Sequence, residues 1–421
     1  MADETQKRFH EGLARFDRGR VAEAIELLES CHAAEPGNPH FALNLGHALG
    51  AAGDAGRASK LYRALMDAEE PGMPFAACWS LADLKGYRFS NDEIQRMQAW
   101  ASANDDQEQR YLLMFALGHA LEQKGDYEQA FDAFRQANRQ VAQQRPYPGE
   151  AWSRLAKSIE GIGNVPGHRG TDGPLPVFVV GMPRSGSTLL EQIIGAHSRA
   201  EAIGEVPFID NMARSLDRQG GFASTLPRLQ PQQCAAGAAG YREQARAMLR
   251  GKPDRIVDKW PDNFWYLGLV YAMFPDAPVI NILRDPLDNA LAVYKQFFSR
   301  GNEFSSDLEW AAHYWETYLD VVQHWESLFP GKLLHLRYRD LVRDPEGASR
   351  RVLQHCGLEF EPGVLEFHRR AGTVMTPSGQ QVRRPIYASA LGSANPYRPY
   401  LDEILPRFEH ITERANRMAG D

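Results

Sequence analysis

Two hydrophobic periods divide the chain. From Gln6 to about Gly163, apolar residues and Ala recur three and four positions apart among Glu, Arg and Gln, with almost no strand signal, which predicts amphipathic helices. From Val177 onward, short apolar runs bounded by Gly, Pro or Asp alternate with longer helical stretches. Val177–Val180, Arg255–Asp258, Val279–Leu283 and Leu333–Tyr338 read as strands. Helices are expected from Thr188, over Asn263–Phe274 and over the Arg-rich Val342–Cys356, so the second part contains a β-α-β unit. Gln219–Ala239 is rich in Gly, Pro and Ala and reads as a mobile excursion able to cover a site. Ile159–Pro176 is dense in Gly, Pro, Asp and Asn without periodicity and reads as the domain junction. The expected fold class is α + α/β: an α-helical solenoid over 1–163, a linker over 164–175, and an α/β domain with a central parallel sheet over 176–421.

The helical part repeats. Gly12 and Gly46 stand 34 residues apart, and counting on from each gives Ala24 and Ala58, then Leu28 and Tyr62, then Cys31 and Leu65. Gly118, Ala130, Phe134 and Ala137 fall in the same frame 72 residues beyond Gly46. This spacing resembles the tetratricopeptide repeat. The small residues let two antiparallel helices pack closely, and the large residue fills the groove of the next pair. Pro74–Gln109 keeps the helical pattern without the small-residue frame, as a degenerate repeat would. Such repeats commonly offer a concave surface to a peptide or a partner domain.

The second part is organised around VFVVGMPRSGSTLL, Val177–Leu190. Gly181 and Gly186 have the G-x-x-x-x-G spacing of a P-loop between a strand and a helix, so the domain is P-loop-like. Backbone N–H groups of such a loop, with the positive end of the following helix, bind a phosphate. A nucleotide hydrolase would have Lys before the Ser/Thr; here that position is Ser187, and the nearest cation is Arg184. A donor with one phosphate and one further anionic group suits this loop better than a triphosphate. Glu205 follows Gly204 at the expected mouth of the pocket. Lys259 and Arg284 each come directly after a strand, where an open α/β sheet faces its ligand crevice. Tyr338 ends the last strand, and Thr376–Ser393, with Arg383 and Arg384, reads as a polar loop folded across the nucleotide.

Composition narrows the partners. The formal charge of −7 over 421 residues gives no support for nucleic acid as the main partner. Cys31, Cys78, Cys234 and Cys356 are far apart and lack metal-ligand spacing, as expected of buried thiols in a reducing compartment. No apolar run approaches a membrane span and no apolar leader opens the chain, so a cytoplasmic protein without a metal is expected.

PRSGSTLL, the Gly204-Glu205 pair, DKWPDNF, LRDPLDNALAVY, RYRDLV and QVRRPIY together resemble the sulfotransferase family, and most of all its tyrosylprotein branch in the bacterial form fused to tetratricopeptide repeats. The resemblance implies a transferase that uses 3′-phosphoadenosine-5′-phosphosulfate (PAPS). It places Arg184, Ser185, Gly186, Ser187 and Thr188 around the 5′-phosphosulfate and makes Glu205 the base for an acceptor hydroxyl. Lys259 then stabilises the departing oxygen, Arg284 holds the 3′-phosphate, Tyr338 lies beside the adenosine, and the segment with Arg383 and Arg384 closes over it. The acceptor could be a peptide tyrosine, a glycan, a lipid or a small phenol, brought by the repeats if it is a protein or peptide.

Two positions depart from the family pattern, both at the 3′-phosphate: Ala292 stands where a serine is usual, and Ser393-Ala394 where a basic residue and Trp are common. One lost hydrogen bond to a charged group costs about 1.5 to 3 kcal/mol. Lys295, Arg383, Arg384 and Arg398 are the candidate compensating cations. The departures also keep open a catalytically decayed repeat scaffold. A nucleotide kinase fits least, because the loop lacks its lysine.

Overall fold

The computed structural model describes residues 2–84, 86–103, 109–167, 173–369, 382 and 384–420. The helical part comprises α1 (Ala2–Asp17), α2 (Val21–Ala34), α3 (Pro39–Ala52), α4 (Ala55–Leu65), α5 (Met73–Asp83), α6 (Asn91–Ala103), α7 (Arg110–Lys124), α8 (Tyr127–Gln144) and α9 (Gly149–Glu160). The repeat frame has a direct cause in packing. A Cβ built on Gly46 would lie 2.4 Å from the Tyr62 ring, and one on Gly118 would lie 2.6 Å from Phe134. The large residue therefore covers the glycine of its own helix pair, where the sequence suggested the groove of the next pair. Asp54 and Asp126 cap α4 and α8 by accepting from the N–H groups of Arg57 and Gln129.

The second part holds five parallel strands: β1 (Leu175–Gly181), β2 (Ala200–Gly204), β3 (Arg255–Lys259), β4 (Val279–Leu283) and β5 (Leu333–Arg337), in the order β2-β3-β1-β4-β5. The helices around them are α10 (Ser187–Gly195), α11 (Phe208–Asp217), α12 (Phe222–Thr225), α13 (Pro231–Arg246), α14 (Leu267–Met273), α15 (Pro286–Tyr294), α16 (Leu308–Leu328), α17 (Tyr338–Arg343), α18 (Pro345–His355) and α19 (Leu405–Met418). No described helix is long and apolar enough to cross a membrane. Parallel pairing sets Val179 opposite Lys259 and Gly181 opposite Ile282. The carboxyl ends of all the strands thus share one edge of the sheet, the edge at which open α/β sheets bind ligands.

Four expectations change here. Gln219–Ala239 is not a mobile cover: it forms α12, a short 3-10 turn and much of α13, whose Cys234, Ala238, Tyr241 and Ala245 are buried. Those positions are spaced by three and four, but an Ala- and Gly-rich stripe gives little hydrophobic contrast. Asn263–Phe274 begins as a 3-10 turn at Pro261–Tyr266 before α14. Val342–Cys356 is split at Asp344-Pro345, with Asp344 capping α18. β2 was not foreseen, because AEAIG is short and carries a glutamate.

The two parts pack on each other. Asn138 of α8 donates to the Tyr294 carbonyl at 2.8 Å, both groups buried. Trp152 of α9 stacks on Trp265 with centroids 5.0 Å apart. Tyr111 and Phe115 of α7 enclose Phe297.

Candidate functional site

β1 ends in a glycine-bounded turn that only glycine can form. Gly181 has φ +144°, and a Cβ there would meet the Ile282 carbonyl oxygen at 2.6 Å. Gly186 has φ +103°, and its Cβ would sit 2.4 Å from the Tyr338 ring. Arg184 between them is itself left-handed, with φ 64°. Two side chains brace the loop from α15 and its approach: Asn289 donates to the Pro183 carbonyl at 2.8 Å, and Arg284 Nη1 to the Arg184 carbonyl at 3.1 Å. α10 starts at Ser187, so its unpaired N–H groups and positive dipole end lie at the loop. Replacing Gly186 by alanine is expected to force the loop off Tyr338 and to abolish nucleotide-dependent heat stabilisation. A melting curve with and without adenosine 3′,5′-bisphosphate (PAP) checks this, and a variant stabilised like wild type would contradict it.

The loop separates two cavities. Arg184, Gly186 and Thr188 line both. The first cavity, about 500 Å³, is lined by Arg88, Arg184, Arg284, Lys295 and Arg384, together with Tyr338 and Ala292. Its one lining carboxylate among the described residues, Glu122, is bound to Lys295 at 2.5 Å. So cationic a cavity, beside a glycine-bounded loop at a helix N-terminus, suits an anionic ligand. The second cavity, about 590 Å³, holds Glu205, Asp210 and Asp262 among the rings of Trp152, Trp260, Trp265, Tyr266, Phe297 and Phe298.

β2 and β3 bring Glu205 and Lys259 together as an ion pair. The Lys259 side chain is fully buried, while Glu205 is 39% exposed and faces the second cavity. Two carboxyl groups stand behind the pair. Burial pushes Glu191 up to about 7, opposed by the Lys259 charge. Burial likewise raises Asp258 to about 8, although the Tyr241 hydroxyl donates to it at 2.8 Å. Burial also holds Asp262 up, at about 6.

Of the residues singled out in the sequence, Ser187 lines the second cavity, and Ser185 is buried beneath the loop and lines neither. Lys259 is fully buried, pairs with Glu205 and lines neither cavity. Arg284 lies over the Tyr338 ring at 5.7 Å, and its Nη2 donates to the Ala390 carbonyl and to Ser393 Oγ at 2.8 and 3.0 Å. Arg384 lines the first cavity, whereas residues 376–381 and Arg383 lie outside the described residues. Arg398 pairs with Glu409 and lines a different cavity, so it does not serve the first.

The sequence reading missed Asp288, which accepts from the N–H groups of Gly392 and Ala394 at 2.7 and 2.8 Å and so fixes the turn that meets Arg284. It also missed Asn289 and Glu191. Asp288 and Asn289 are the D and N of LRDPLDN, a polar pair at the start of an otherwise apolar helix. That polar pair in an apolar run was the available signal.

Residues 176–362 match the model described as sulfotransferase family, and residues 15–72 and 112–139 match models described as tetratricopeptide repeat. An uncharacterized protein of Aquifex aeolicus (strain VF5) is 31% identical over 407 residues, covering 93% of this chain and 53% of that protein. Heparan sulfate glucosamine 3-O-sulfotransferase 3B1 of Mus musculus is 26% identical over 201 residues, covering 43% of this chain and 46% of the relative. The chain thus spans about half the length of these curated relatives. The sulfotransferase domain of the Synechococcus PCC 7002 olefin synthase superposes with a TM-score of 0.41 at 18% identity, over 61% of this chain and 99% of that one.

Proposed function

We propose that this chain, which belongs to the sulfotransferase family through its domain at residues 176–362 and carries tetratricopeptide repeats ahead of it, moves a sulfuryl group from PAPS to an acceptor hydroxyl. The observation that carries the reading is the partition: one phosphate-type loop has a cation-lined cavity on one side and a carboxylate on the other. The residues present fit the donor. The loop amides and Arg184 suit its 5′ end, and the cations beyond them suit its 3′-phosphate.

When bound, PAPS would supply the sulfuryl group and depart as PAP with the electron pair of the broken S–O bond. Glu205 takes the proton of the acceptor hydroxyl as the oxygen–sulfur bond forms. The Lys259 ammonium and Arg184 offset charge on the departing oxygen, and the loop with α10 fixes the line of displacement. Proton transfer to a placed carboxylate contributes typically about 10²- to 10⁴-fold. The ring-lined second cavity favours an acceptor with a flat apolar face, such as a peptide tyrosine, a small phenol or a sugar ring. A peptide could reach it along the repeats, since Trp152 of α9 is part of its wall. The buried, unpaired thiols of Cys31, Cys78, Cys234 and Cys356 suit work in the reducing cytoplasm.

A decayed scaffold draws on one observation, that Arg284 is engaged by Arg184 and Ala390 carbonyls beside Ala292. Heat denaturation separates the readings. PAP at about a hundred times its dissociation constant should add about 2.7 kcal/mol of stability, and ATP at the same concentration clearly less. A protein that responds to neither is a decayed one, and a stronger response to ATP points to a kinase.

A further inference from the structure

We propose that the repeats complete the donor site, and that Arg88, in the turn between α5 and α6, binds the 3′-phosphate of the nucleotide together with Arg384. The inference rests on the PAPS reading above and goes beyond it by assigning part of the cofactor site to the other domain.

The first cavity is not a cleft within the α/β domain alone. Its outer wall is Leu84, Gly86 and Arg88 from the turn after α5, with His119, Glu122 and Gln123 from α7. That wall is held in place by polar contacts. His119 Nε2 donates to the Lys295 carbonyl at 3.0 Å, and Lys295 Nζ donates to Glu122. Gln296 Nε2 reaches Asp83 at 3.4 Å. Every one of these contacts joins a repeat helix to Lys295 or Gln296, which directly follow α15, the helix that bears Ala292.

The turn that carries Arg88 is clamped on both sides by one amide. Gln123 Nε2 donates to the Tyr87 carbonyl at 3.1 Å, and the Phe89 N–H donates to Gln123 Oε1 at 3.4 Å. Gly86 gives the turn its left-handed step, with φ +114°. Arg384 arrives from the opposite domain, and a Cβ on Gly86 would lie only 3.2 Å from its Nη2. Two arginines from different domains therefore line one cavity, with Arg384 against the turn that carries Arg88.

Elimination assigns them to the 3′-phosphate. The 5′ end belongs at the loop, because the loop alone borders both the cationic cavity and Glu205. The far end must then lie away from Glu205, where a phosphate dianion needs cations outside the loop. Arg284 keeps an unpartnered Nε but has each Nη atom on a protein acceptor, and Lys295 is bound to Glu122, so a phosphate dianion there calls for further cations. Arg88 and Arg384 line the cavity without a carboxylate within 4.0 Å among the described residues. An arginine pair gives planar, forked donors matched to phosphate oxygens. Cations from the repeat side also make up for the hydroxyl absent at Ala292.

Calorimetric titration of the full chain with PAP and with adenosine 5′-monophosphate, which lacks the 3′-phosphate, tests this. Arg88→Ala should weaken PAP binding by about 10- to 100-fold and leave the monophosphate affinity unchanged; Arg384→Ala should do the same. Arg88 is exposed, and an unchanged melting temperature will show that the fold is intact. Equal PAP affinity in wild type and Arg88→Ala overturns the inference while leaving the PAPS reading in place. Equal loss for both ligands also overturns it, since that is diffuse charge and not a 3′-phosphate contact. A wild-type chain that binds no PAP overturns the reading and the inference together.

Discussion

Glu205→Gln should lower sulfuryl transfer by about 10²- to 10⁴-fold with PAP affinity unchanged. Glutamine keeps the shape of glutamate and still offers Lys259 a carbonyl oxygen, but it cannot take the acceptor's proton. Alanine would be a poorer test, because it leaves the fully buried Lys259 ammonium without its partner, which is destabilising in itself. Initial rates at saturating PAPS, set beside a PAP titration, separate the chemical step from binding. A variant that keeps its rate removes Glu205 as the base, and one that loses PAP binding instead makes Glu205 part of the donor pocket.

Lys259→Met should cost about 10²- to 10³-fold in kcat, since it removes the buried cation proposed to offset charge on the departing oxygen. It also has a pH signature. Glu191 and Asp258, at about 7 and about 8 in the folded chain, are both raised by burial and lowered by Lys259. Acids with raised folded pKa values contribute stability below their unfolded values that is lost as pH rises through the folded ones. Methionine removes the cation that eases their ionisation, so they rise further. The melting-temperature gap between wild type and Lys259→Met should therefore be wider at about pH 8.5 than at about pH 6. A gap independent of pH would show that Lys259 does not neutralise these carboxyl groups.

Much of the site was legible because it lies at strand ends. Gly181, Lys259 and Arg284 each follow or end an apolar run, a parallel sheet brings such positions to one edge without further information, and Gly186 follows from its spacing to Gly181. Glu205 came only from the resemblance and its Gly-Glu context, since β2 is too short and polar to read as a strand. The repeats were legible because Gly46 and Gly118 need large partners a fixed distance on. What escaped depends on contacts between distant segments. Nothing in the turn at Gly86 or in α7 predicts that Arg88 and His119 would line a cavity opposite Arg284, because docking of the repeats on α15 is decided by packing at Asn138, Trp152 and Phe297. The cover expected at Gln219–Ala239 failed for the opposite reason: its helix is local, but its small residues hid the buried face.

The most direct test of the account is transfer of labelled sulfate from PAPS into fractionated cell components by the full chain, with Glu205→Gln beside it. Label entering an acceptor fraction with wild type, and falling at least a hundredfold with the variant as the proton-transfer range implies, is the predicted result. Undiminished transfer by Glu205→Gln, or PAPS bound with no label passed to any fraction, would contradict it.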